Sequence, residues 1–503
     1  MNKKQRRMVR LIAIVLVALL VFSAIISAVI SLAYAEEAIP KERDRCTLTM
    51  EYLDDEQALR ISQRLVYTNP SDGFLDRVIF YMPANLLRRR SALPYEGEAL
   101  LQAFPSGYLP GGTDLTAVRV DGSDAEWGFQ GDSEIYLRVA CNLAPGARCA
   151  FEFDYYLLLT ENAAFLGLSD TAWRLSGFYF SPASLDEGGE FILNAAQGHT
   201  RYVDSPAMDF VAQIALPDIF LLAATGAEES VAQGEHLRLW SVRAENAHDF
   251  ALCFGKRFRE YRRETDSGVE LRMLTNLRGA ADRVLSLAEE AVNACESLFG
   301  ALPFRQLDFV QAGCAPESLN HTSCLWLTEA LLRGSEDDLA KAVRFFVAQQ
   351  YFGFRAYARP ASDAWLSDSV CEYLSYLLLE EVKGYDAYLA ALNEGVVDAL
   401  QMTIPGGLNV ASDASLFSAM EYEIVVKDRG AAVFHELRTA MGRDALIAGL
   451  RLFYEKGSGG AVLTEMDLVD ALDEASGKHW EKFLTDWIFN IGDYVNQNID
   501  WLD

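Results

Sequence analysis

The sequence predicts an α+β multidomain protein, in which an antiparallel β domain precedes a mainly helical domain and both follow an N-terminal transmembrane helix. Three observations predict this order. Residues 11–35 carry no charge. From 46 to 265 apolar residues recur with period two, which is typical of half-buried strands. From 268 to 503 they recur at three- and four-residue steps, as on amphipathic helices. The 503 residues suffice for two or three domains.

The uncharged N-terminal run 11–35 is long enough to cross a membrane, which needs about 20 apolar residues. Five basic residues precede it: Lys3, Lys4, Arg6, Arg7 and Arg10. This flank predicts a cytoplasmic N-terminus and an extracytoplasmic body. Ala33-Tyr34-Ala35 also fits a signal-peptidase site, which would make the protein secreted. The length of the run favours a retained anchor in the cell membrane, and both interpretations export the body of the chain.

Acidic residues outnumber basic residues by 72 to 44, and the formal net charge is −28. This balance argues against nucleic acid as a partner, because nucleic-acid-binding proteins carry basic surfaces. The chain is 51% hydrophobic and 23% charged. That composition is typical of a folded globular protein.

The strand pattern is clearest at the start of the β domain. Cys46–Tyr52 and Leu59–Tyr67 both alternate apolar and polar residues, and the polar break between them predicts a hairpin with one buried face. Phe210–Leu216 alternates in the same way. With the turn-forming segments between these runs, region 46–265 is predicted to be a β-sandwich or saddle.

The helical domain begins with Ala280–Phe299, an amphipathic pattern that ends at Gly300. Leu307–Val310 is a predicted short strand. Thr464 and Asp467 have the spacing of a capping box at the start of a later helix. Further helices are predicted over Leu339–Tyr351, Asp368–Val382 and Ala431–Met441.

The eight cysteines include no C-x-x-C pair. Cys141 and Cys149 flank a turn, so they could face each other across a hairpin and form a disulfide. Cys314, His321 and Cys324 lie close together in the sequence. They could bind a metal, although no fourth ligand is evident nearby.

The most informative segment is Phe345–Gly353, followed by Trp365–Asp368. Eighteen residues separate Gln349 from Asp368. A helix carrying H-E-x-x-H, then eighteen residues, then a glutamate, is the ligand spacing of the gluzincin peptidases. The segment keeps this spacing without the histidines.

The chain resembles the zinc aminopeptidases of peptidase family M1, which are gluzincins. The resemblance runs from about Arg45 to Asp503 and is carried by Glu296–Phe304, Gln350–Gly353 and Trp365–Tyr373. It implies an aminopeptidase-like β domain over 46–265 and a thermolysin-like, mainly helical gluzincin domain over 268–503. In the family, that domain holds zinc and removes amino-terminal residues from peptides.

The chain departs from the family at the residues that carry the chemistry. Phe345 and Gln349 stand at the two histidine positions, and Asp368 stands at the third-ligand position. Phe345 has no lone pair, and Gln349 offers only a neutral amide oxygen. Phe346 replaces the general-base glutamate and cannot deprotonate water. Lys427 replaces the tyrosine that stabilises the oxyanion. No catalytic residue is intact, so neither a metal nor another cofactor is expected.

Three acidic residues are the predicted ligand-binding residues. Glu317 matches the family's carboxylate that holds a substrate's amine. Asp368 and Glu372 are four residues apart on a predicted helix and share a face. They could hold the amino terminus of a peptide, or they could form a solvated acidic face with Asp368 as an N-cap. Phe345 and Phe346 could equally be core aromatic residues of a buried helix.

Two near-matches to catalytic motifs are better explained by structure. His435–Thr439 begins like H-E-x-x-H but ends in threonine, so it lacks the second ligand. Tyr454–Gly457 resembles the family's oxyanion signature but lies too far along the chain. It is predicted to be the end of a helix, where Lys456 suits the helix dipole.

Three functions are compatible with these patterns. The favoured one is a membrane-anchored pseudopeptidase that binds a peptide or protein in the former active-site cleft. The second is an active metallo-aminopeptidase or other peptide hydrolase with an atypical site, for which Cys314, His321 and Cys324 are the best candidates. The third is a structural or adhesive ectodomain, which Phe345 and Phe346 filling the zinc pocket would favour.

Overall fold

The computed structural model describes residues 43–131, 134–193, 204–234, 236–314, 319–404 and 407–497, with side chains as far as Phe489. From Asp44 onward the chain forms one compact unit. The predicted membrane helix over 11–35 lies outside these residues. Within the described ranges, no helix combines the length and the apolar character needed to cross a bilayer.

The N-terminal half is built almost entirely from strands, because its apolar residues alternate. One short helix, α1, and two 3-10 turns, Pro83–Arg88 and Arg90–Ala92, interrupt them. These elements are β1 (Arg45–Leu53), β2 (Ala58–Thr68), β3 (Leu75–Tyr81), α1 (Gly97–Ala103), β4 (Gly112–Val120), β5 (Ser123–Asp124), β6 (Trp127–Gln130), β7 (Tyr136–Leu143), β8 (Arg148–Leu158), β9 (Leu166–Leu168), β10 (Trp173–Leu175), β11 (Ser181–Pro182), β12 (Met208–Pro217), β13 (Leu221–Ala224), β14 (Ala227–Gln233), β15 (Leu237–Ala247) and β16 (Leu252–Gly255).

An eight-stranded sheet in the order β14-β15-β12-β1-β2-β8-β4-β5 dominates this half. The predicted hairpin is confirmed: β1 and β2 pair antiparallel, with Cys46 opposite Leu65. Every second residue of β1 is buried, as the alternation requires. The expectation of a purely antiparallel sheet is wrong at one point, since β1 and β12 run parallel.

The eight-stranded sheet packs against two four-stranded sheets, β13-β16-β10-β9 and β11-β3-β7-β6. Aromatic side chains fill the space between the layers. The ring of Phe80 lies 4.9 Å from that of Phe151 and 5.0 Å from that of Phe153. Each such buried side chain contributes roughly 1.5–3 kcal/mol to stability. The N-terminal half is therefore a β-sheet domain with its own core.

The sequence left open a disulfide between Cys141 and Cys149, and in the structure both are free thiols. The reason is topological. Cys141 lies on β7, which pairs with β3 and β6, whereas Cys149 lies on β8 in the eight-stranded sheet. The turn between them passes from one sheet to another instead of closing a hairpin.

The second half combines a five-stranded sheet, β17-β18-β19-β21-β20, with ten helices in the described residues. The strands are β17 (Arg259–Glu264), β18 (Glu270–Thr275), β19 (Gln306–Gln311), β20 (Leu319–His321), β21 (Cys324–Leu327), β22 (Tyr357–Ala358) and β23 (Val462–Leu463). The helices are α2 (Ala280–Phe299), α3 (Glu329–Arg333), α4 (Glu336–Phe352), α5 (Trp365–Lys383), α6 (Tyr385–Gln401), α7 (Ala419–Tyr422), α8 (Gly430–Met441), α9 (Arg443–Gly457), α10 (Glu465–Ser476) and α11 (Glu481–Gln497). The segment Ala414–Leu416 is a 3-10 turn, and Glu423–Arg429 is a π-helix.

Several local predictions for the helical half are confirmed. Helix α2 covers Ala280–Phe299 and ends at Gly300. The capping box is present, because the Thr464 and Asp467 side chains each accept a hydrogen bond from the other residue's backbone N–H. Helix α9 ends at Gly457, so Tyr454 and Lys456 lie at a helix end as expected.

Candidate functional site

Helices α4 and α5 carry the residues that the family resemblance aligns with the zinc motif. Helix α4 starts behind Ser335, whose side chain accepts a hydrogen bond from the backbone of Asp338. It presents Phe345 and Gln349 one turn apart on the same face. The N-cap position of helix α5 is Ala364. Asp368 therefore lies in the first turn of the helix and is not the N-cap. The two helices place the Gln349 amide beside the Asp368 carboxylate.

Four polar side chains from four elements form a continuous chain of hydrogen bonds, which we call the Asp368 network. Gln349 Nε2 donates to Asp368 Oδ1 at 2.9 Å. The Tyr422 hydroxyl donates to Asp368 Oδ2 at 2.7 Å. Asn320 Nδ2 donates to Gln349 Oε1 at 2.8 Å. Asn320, Gln349 and Asp368 are half-exposed, whereas Tyr422 is buried.

Sequence analysis did not identify Tyr422 or Asn320. Tyr422 ends α7, which begins with a capping box between Ser418 and Glu421. That S-x-x-E pattern was the available signal for a helix start. Asn320 lies on the three-residue edge strand β20, and nothing in its local sequence marks it.

Phe345 and Phe346 are each 8% exposed, and their ring centroids lie 5.9 Å apart. The Lys427 ammonium lies 5.1 Å from the Phe345 ring centroid and pairs with Glu423. A cation over an aromatic face is attracted by the ring quadrupole. Phe345 and Lys427, which the resemblance aligns with a metal ligand and an oxyanion-stabilising hydroxyl, therefore contact each other as an aromatic ring and an ammonium.

Glu372 lies one turn beyond Asp368 and contacts other groups, and we call Lys341, Glu372 and Tyr376 the Glu372 cluster. Lys341 Nζ is 2.6 Å from Glu372 Oε1, and the Tyr376 hydroxyl donates to the same oxygen at 3.1 Å. Burial lowers the pKa of Lys341, but the charges and hydrogen bonds of Glu372 and Tyr376 together outweigh it and raise that pKa. Glu372 is 5% exposed, so it does not belong to a solvated acidic face.

The donor set does not fit the zinc ion that the fold implies. Zinc sites in proteins use imidazole, thiolate and carboxylate ligands in tetrahedral geometry. Phe345 supplies no donor, and the Gln349 amide oxygen already accepts from Asn320. Both oxygens of Asp368 already accept hydrogen bonds from Gln349 and Tyr422. A metal at this position would have one carboxylate and would have to break the network.

The described residues of the other predicted sites have surroundings of their own. Glu317 lies outside the described residues. His321 Nδ1 is bonded to Asp249 Oδ2 at 2.8 Å, and burial keeps the pKa of Cys324 well above its usual value. Cys314 and Cys324 belong to an apolar cluster. In the part of the chain that the structure describes, no three His, Cys, Asp or Glu residues are grouped to hold a metal ion.

Replacing Tyr422 by phenylalanine is expected to reduce the free energy of unfolding by about 1.5–3 kcal/mol, because it removes a hydrogen bond to a charged acceptor. Urea denaturation would measure the change. Tyr156→Phe is the matched control, since Tyr156 is 38% exposed and its hydroxyl stays in water. Equal stability of the two variants would contradict the hydrogen bond to Asp368.

Comparison with known proteins identifies solved structures with a similar fold and one protein with a similar sequence. The M1 zinc metallopeptidase from Deinococcus radiodurans superposes with a TM-score of 0.60 at 16% identity, covering 90% of this chain and 94% of that one. A two-domain M1 zinc metallopeptidase mutant bound to L-arginine gives 0.62 at 14% identity, covering 89% and 93%. Aminopeptidase N of Lactococcus lactis subsp. lactis is 26% identical over 160 residues.

This chain is similar in structure and sequence to the M1 zinc metallopeptidases. Its described residues have their two-domain α+β fold, with a β-sheet domain followed by a helical domain. The match to aminopeptidase N spans 31% of this chain and only 19% of that protein. No protein-family model matches the chain.

Proposed function

We propose that this protein is a catalytically inactive M1 aminopeptidase-like protein that binds a peptide or protein at the Asp368 network. The observation that carries the proposal is the hydrogen bonding of Asp368. Its two oxygens accept from Gln349 and Tyr422 at positions where an active relative would bind zinc. With Phe346 at the general-base position, the chain has no group there to activate water.

The proposed ligand is a peptide with a free amino terminus. Asp368 is half-exposed, so a ligand can reach its carboxylate from solvent. A carboxylate suits an ammonium or guanidinium group, which donates several hydrogen bonds at once. An M1 relative of similar fold has been crystallised with L-arginine, which carries both groups. Glu372 is left out of direct contact, because Lys341 already pairs with it.

We further propose that the apolar run 11–35 anchors the protein in the cell membrane with its body on the extracytoplasmic side. The basic residues before the run support this orientation. The ligand would then be a peptide or an exposed protein terminus outside the cytoplasm.

One experiment on the full-length protein tests the proposed function. Elemental analysis for zinc is combined with hydrolysis of aminoacyl fluorogenic amides and with L-arginine binding by calorimetry. We expect no stoichiometric zinc, no turnover and measurable binding. Asp368→Asn is expected to weaken binding at least about tenfold, because one charge-assisted contact is worth about 1.4 kcal/mol or more. Asp444→Asn is the matched control, since the Asp444 side chain is 98% exposed. Stoichiometric zinc with turnover would refute the proposal.

A structural or adhesive ectodomain is the second candidate, and the low exposure of Phe345 and Phe346 favours it. The resemblance aligns these two residues with a zinc ligand and with the general base, so buried rings there would leave little room for a ligand. The same calorimetry separates the candidates, because an ectodomain whose cleft is filled would bind neither L-arginine nor a panel of short peptides.

A further inference from the structure

Gln350 follows Gln349 on α4, and its side chain is fully buried. It bonds to the turn that joins β20 to β21. The Ser323 N–H donates to Gln350 Oε1 at 2.8 Å. Gln350 Nε2 donates to Asn320 Oδ1 at 3.1 Å and to the His321 carbonyl at 3.3 Å. Gln350 thus contacts the Asp368 network through Asn320, and its burial keeps it from contacting a ligand itself.

The Gln350 amide fits these partners in one orientation only. A backbone N–H can only donate a hydrogen bond, and a backbone C=O can only accept one. The Ser323 N–H therefore requires the amide oxygen. The carbonyls of His321 and Phe346, at 3.3 and 3.4 Å, require the amide nitrogen. Turning the amide over would leave these buried groups without partners, which is unfavourable.

Two further amides take their orientation from Gln350, and we call Gln350, Asn320 and Gln349 the amide relay. The nitrogen of Gln350 meets Asn320 Oδ1, so Asn320 presents Nδ2 to Gln349 Oε1 at 2.8 Å. The Phe346 carbonyl accepts from the same Nδ2 at 3.0 Å and favours the same orientation. Gln349 therefore accepts through its oxygen and donates through its nitrogen to Asp368 Oδ1 at 2.9 Å.

The direction of the amide relay decides what Asp368 meets. With Gln349 reversed, its carbonyl oxygen would face the carboxylate, and two acceptors would stand 2.9 Å apart with no proton between them. In the observed direction, Asp368 accepts from Gln349 and from the Tyr422 hydroxyl. Donors on both oxygens hold the half-exposed carboxylate in place for a cationic ligand.

We propose that Gln350 is a positioning residue of the Asp368 network, which fixes the amide relay in the direction that presents an N–H group to Asp368. The inference rests on the proposed function and adds the residue that orients its binding carboxylate. Gln350 acts only through Asn320 and Gln349. Without it, the Phe346 carbonyl still favours the present orientation of Asn320, so binding should be weakened and not abolished.

The first test is calorimetric titration of the full-length protein with L-arginine. Gln350→Met removes both amide groups and keeps a side chain of similar length. We expect it to weaken binding about threefold to tenfold, the equivalent of one hydrogen bond. Gln350→Asn, whose amide is one methylene shorter, should lie between Gln350→Met and the wild type.

Gln63→Met is the matched control for this titration. Gln63 is 2% exposed and exchanges two hydrogen bonds with the Phe180 backbone in the β domain. Its replacement therefore removes a buried amide of the same kind at a place without any bond to the amide relay. Gln63→Met should bind L-arginine as the wild type does.

The second test needs no ligand and is a double-mutant cycle followed by melting temperature. It compares Gln350→Met, Asp368→Ala and the double variant. Residues in one hydrogen-bond network are not additive, so the double variant should lose about 2–4 °C less than the sum of the two single losses. The cycle of Gln63→Met with Asp368→Ala should be additive to within about 1 °C. Gln350→Asn replaces Gln350→Met in both tests if the latter does not fold.

The outcomes separate the inference from the function on which it rests. The inference is overturned if a folded Gln350→Met binds like the wild type, if Gln63→Met loses as much affinity, or if the Gln350 and Asp368 cycle is additive. Each of these results leaves the binding function standing. No L-arginine binding by the wild type, with coupling present in the cycle, overturns the proposed ligand class and the role of Gln350 in its binding, while the direction of the amide relay is retained.

Discussion

A variant carrying Phe345→His, Gln349→His, Asp368→Glu and Lys427→Tyr is expected to bind one zinc ion per chain, whereas the wild-type protein binds none tightly. The two histidines would lie one turn apart on α4. The present hydrogen bond of 2.9 Å between Gln349 and Asp368 brings α5 within ligand distance. Removing the Lys427 ammonium eliminates a positive charge that would oppose the metal. These changes supply the His₂Glu donor set of a catalytic zinc site.

The gain would be measured as the zinc content after dialysis and as the melting temperature with zinc chloride or with EDTA. At a free zinc concentration one thousand times the Kd, binding stabilises the folded state by about 4 kcal/mol. The matched control is the same variant with Gln349 retained, which has two ligands and should gain little. A folded variant that binds no zinc would contradict the correspondence between α4 and the family's zinc helix.

Replacing Arg272 by methionine is expected to reduce the free energy of unfolding by about 3–5 kcal/mol, because it leaves a buried carboxylate without its partner. Arg272 on β18 and Asp308 on β19 are both at most 2% exposed and are joined by two hydrogen bonds of 2.6 and 2.9 Å. Arg272 also donates to the backbone of Leu222 on β13. The pair therefore joins the five-stranded sheet to the β domain.

Two further variants determine whether the loss comes from the unpaired charge. Arg272→Met combined with Asp308→Leu should recover much of the stability, since replacing both partners of a buried ion pair by apolar groups is often nearly neutral. Arg60→Met is the exposed control, because Arg60 is 52% exposed and pairs with Glu51 at the surface. It should cost less than about 1 kcal/mol. Equal losses for Arg60→Met and Arg272→Met would refute the explanation.

Local pattern predicted the regular elements of this protein well. The hairpin β1–β2, helix α2 and the Thr464 capping box are all where the sequence indicates them. In each case the signal is short-range: alternation requires a half-buried strand, and a cap residue satisfies N–H groups three residues away. The sequence could not decide whether Cys141 and Cys149 form a disulfide, because the sheet to which a strand belongs depends on pairing with distant strands, and β7 and β8 lie in different sheets.

The sequence alone determined which residue types stand in the segment that resembles the zinc motif. Phe345, Phe346 and Gln349 are identities at spaced positions, and no packing can give them the lone pairs of histidine or the basicity of glutamate. Only the tertiary structure decided which groups these residues contact. Tyr422 reaches Asp368 across 54 positions, and Asn320 reaches Gln349 across 29. Asp368 and Glu372 lie on the same helix but bond to different groups. Which groups they meet depends on how the neighbouring helices pack against α5. These are contacts between distant segments, so their partners follow from packing and cannot be read from local sequence.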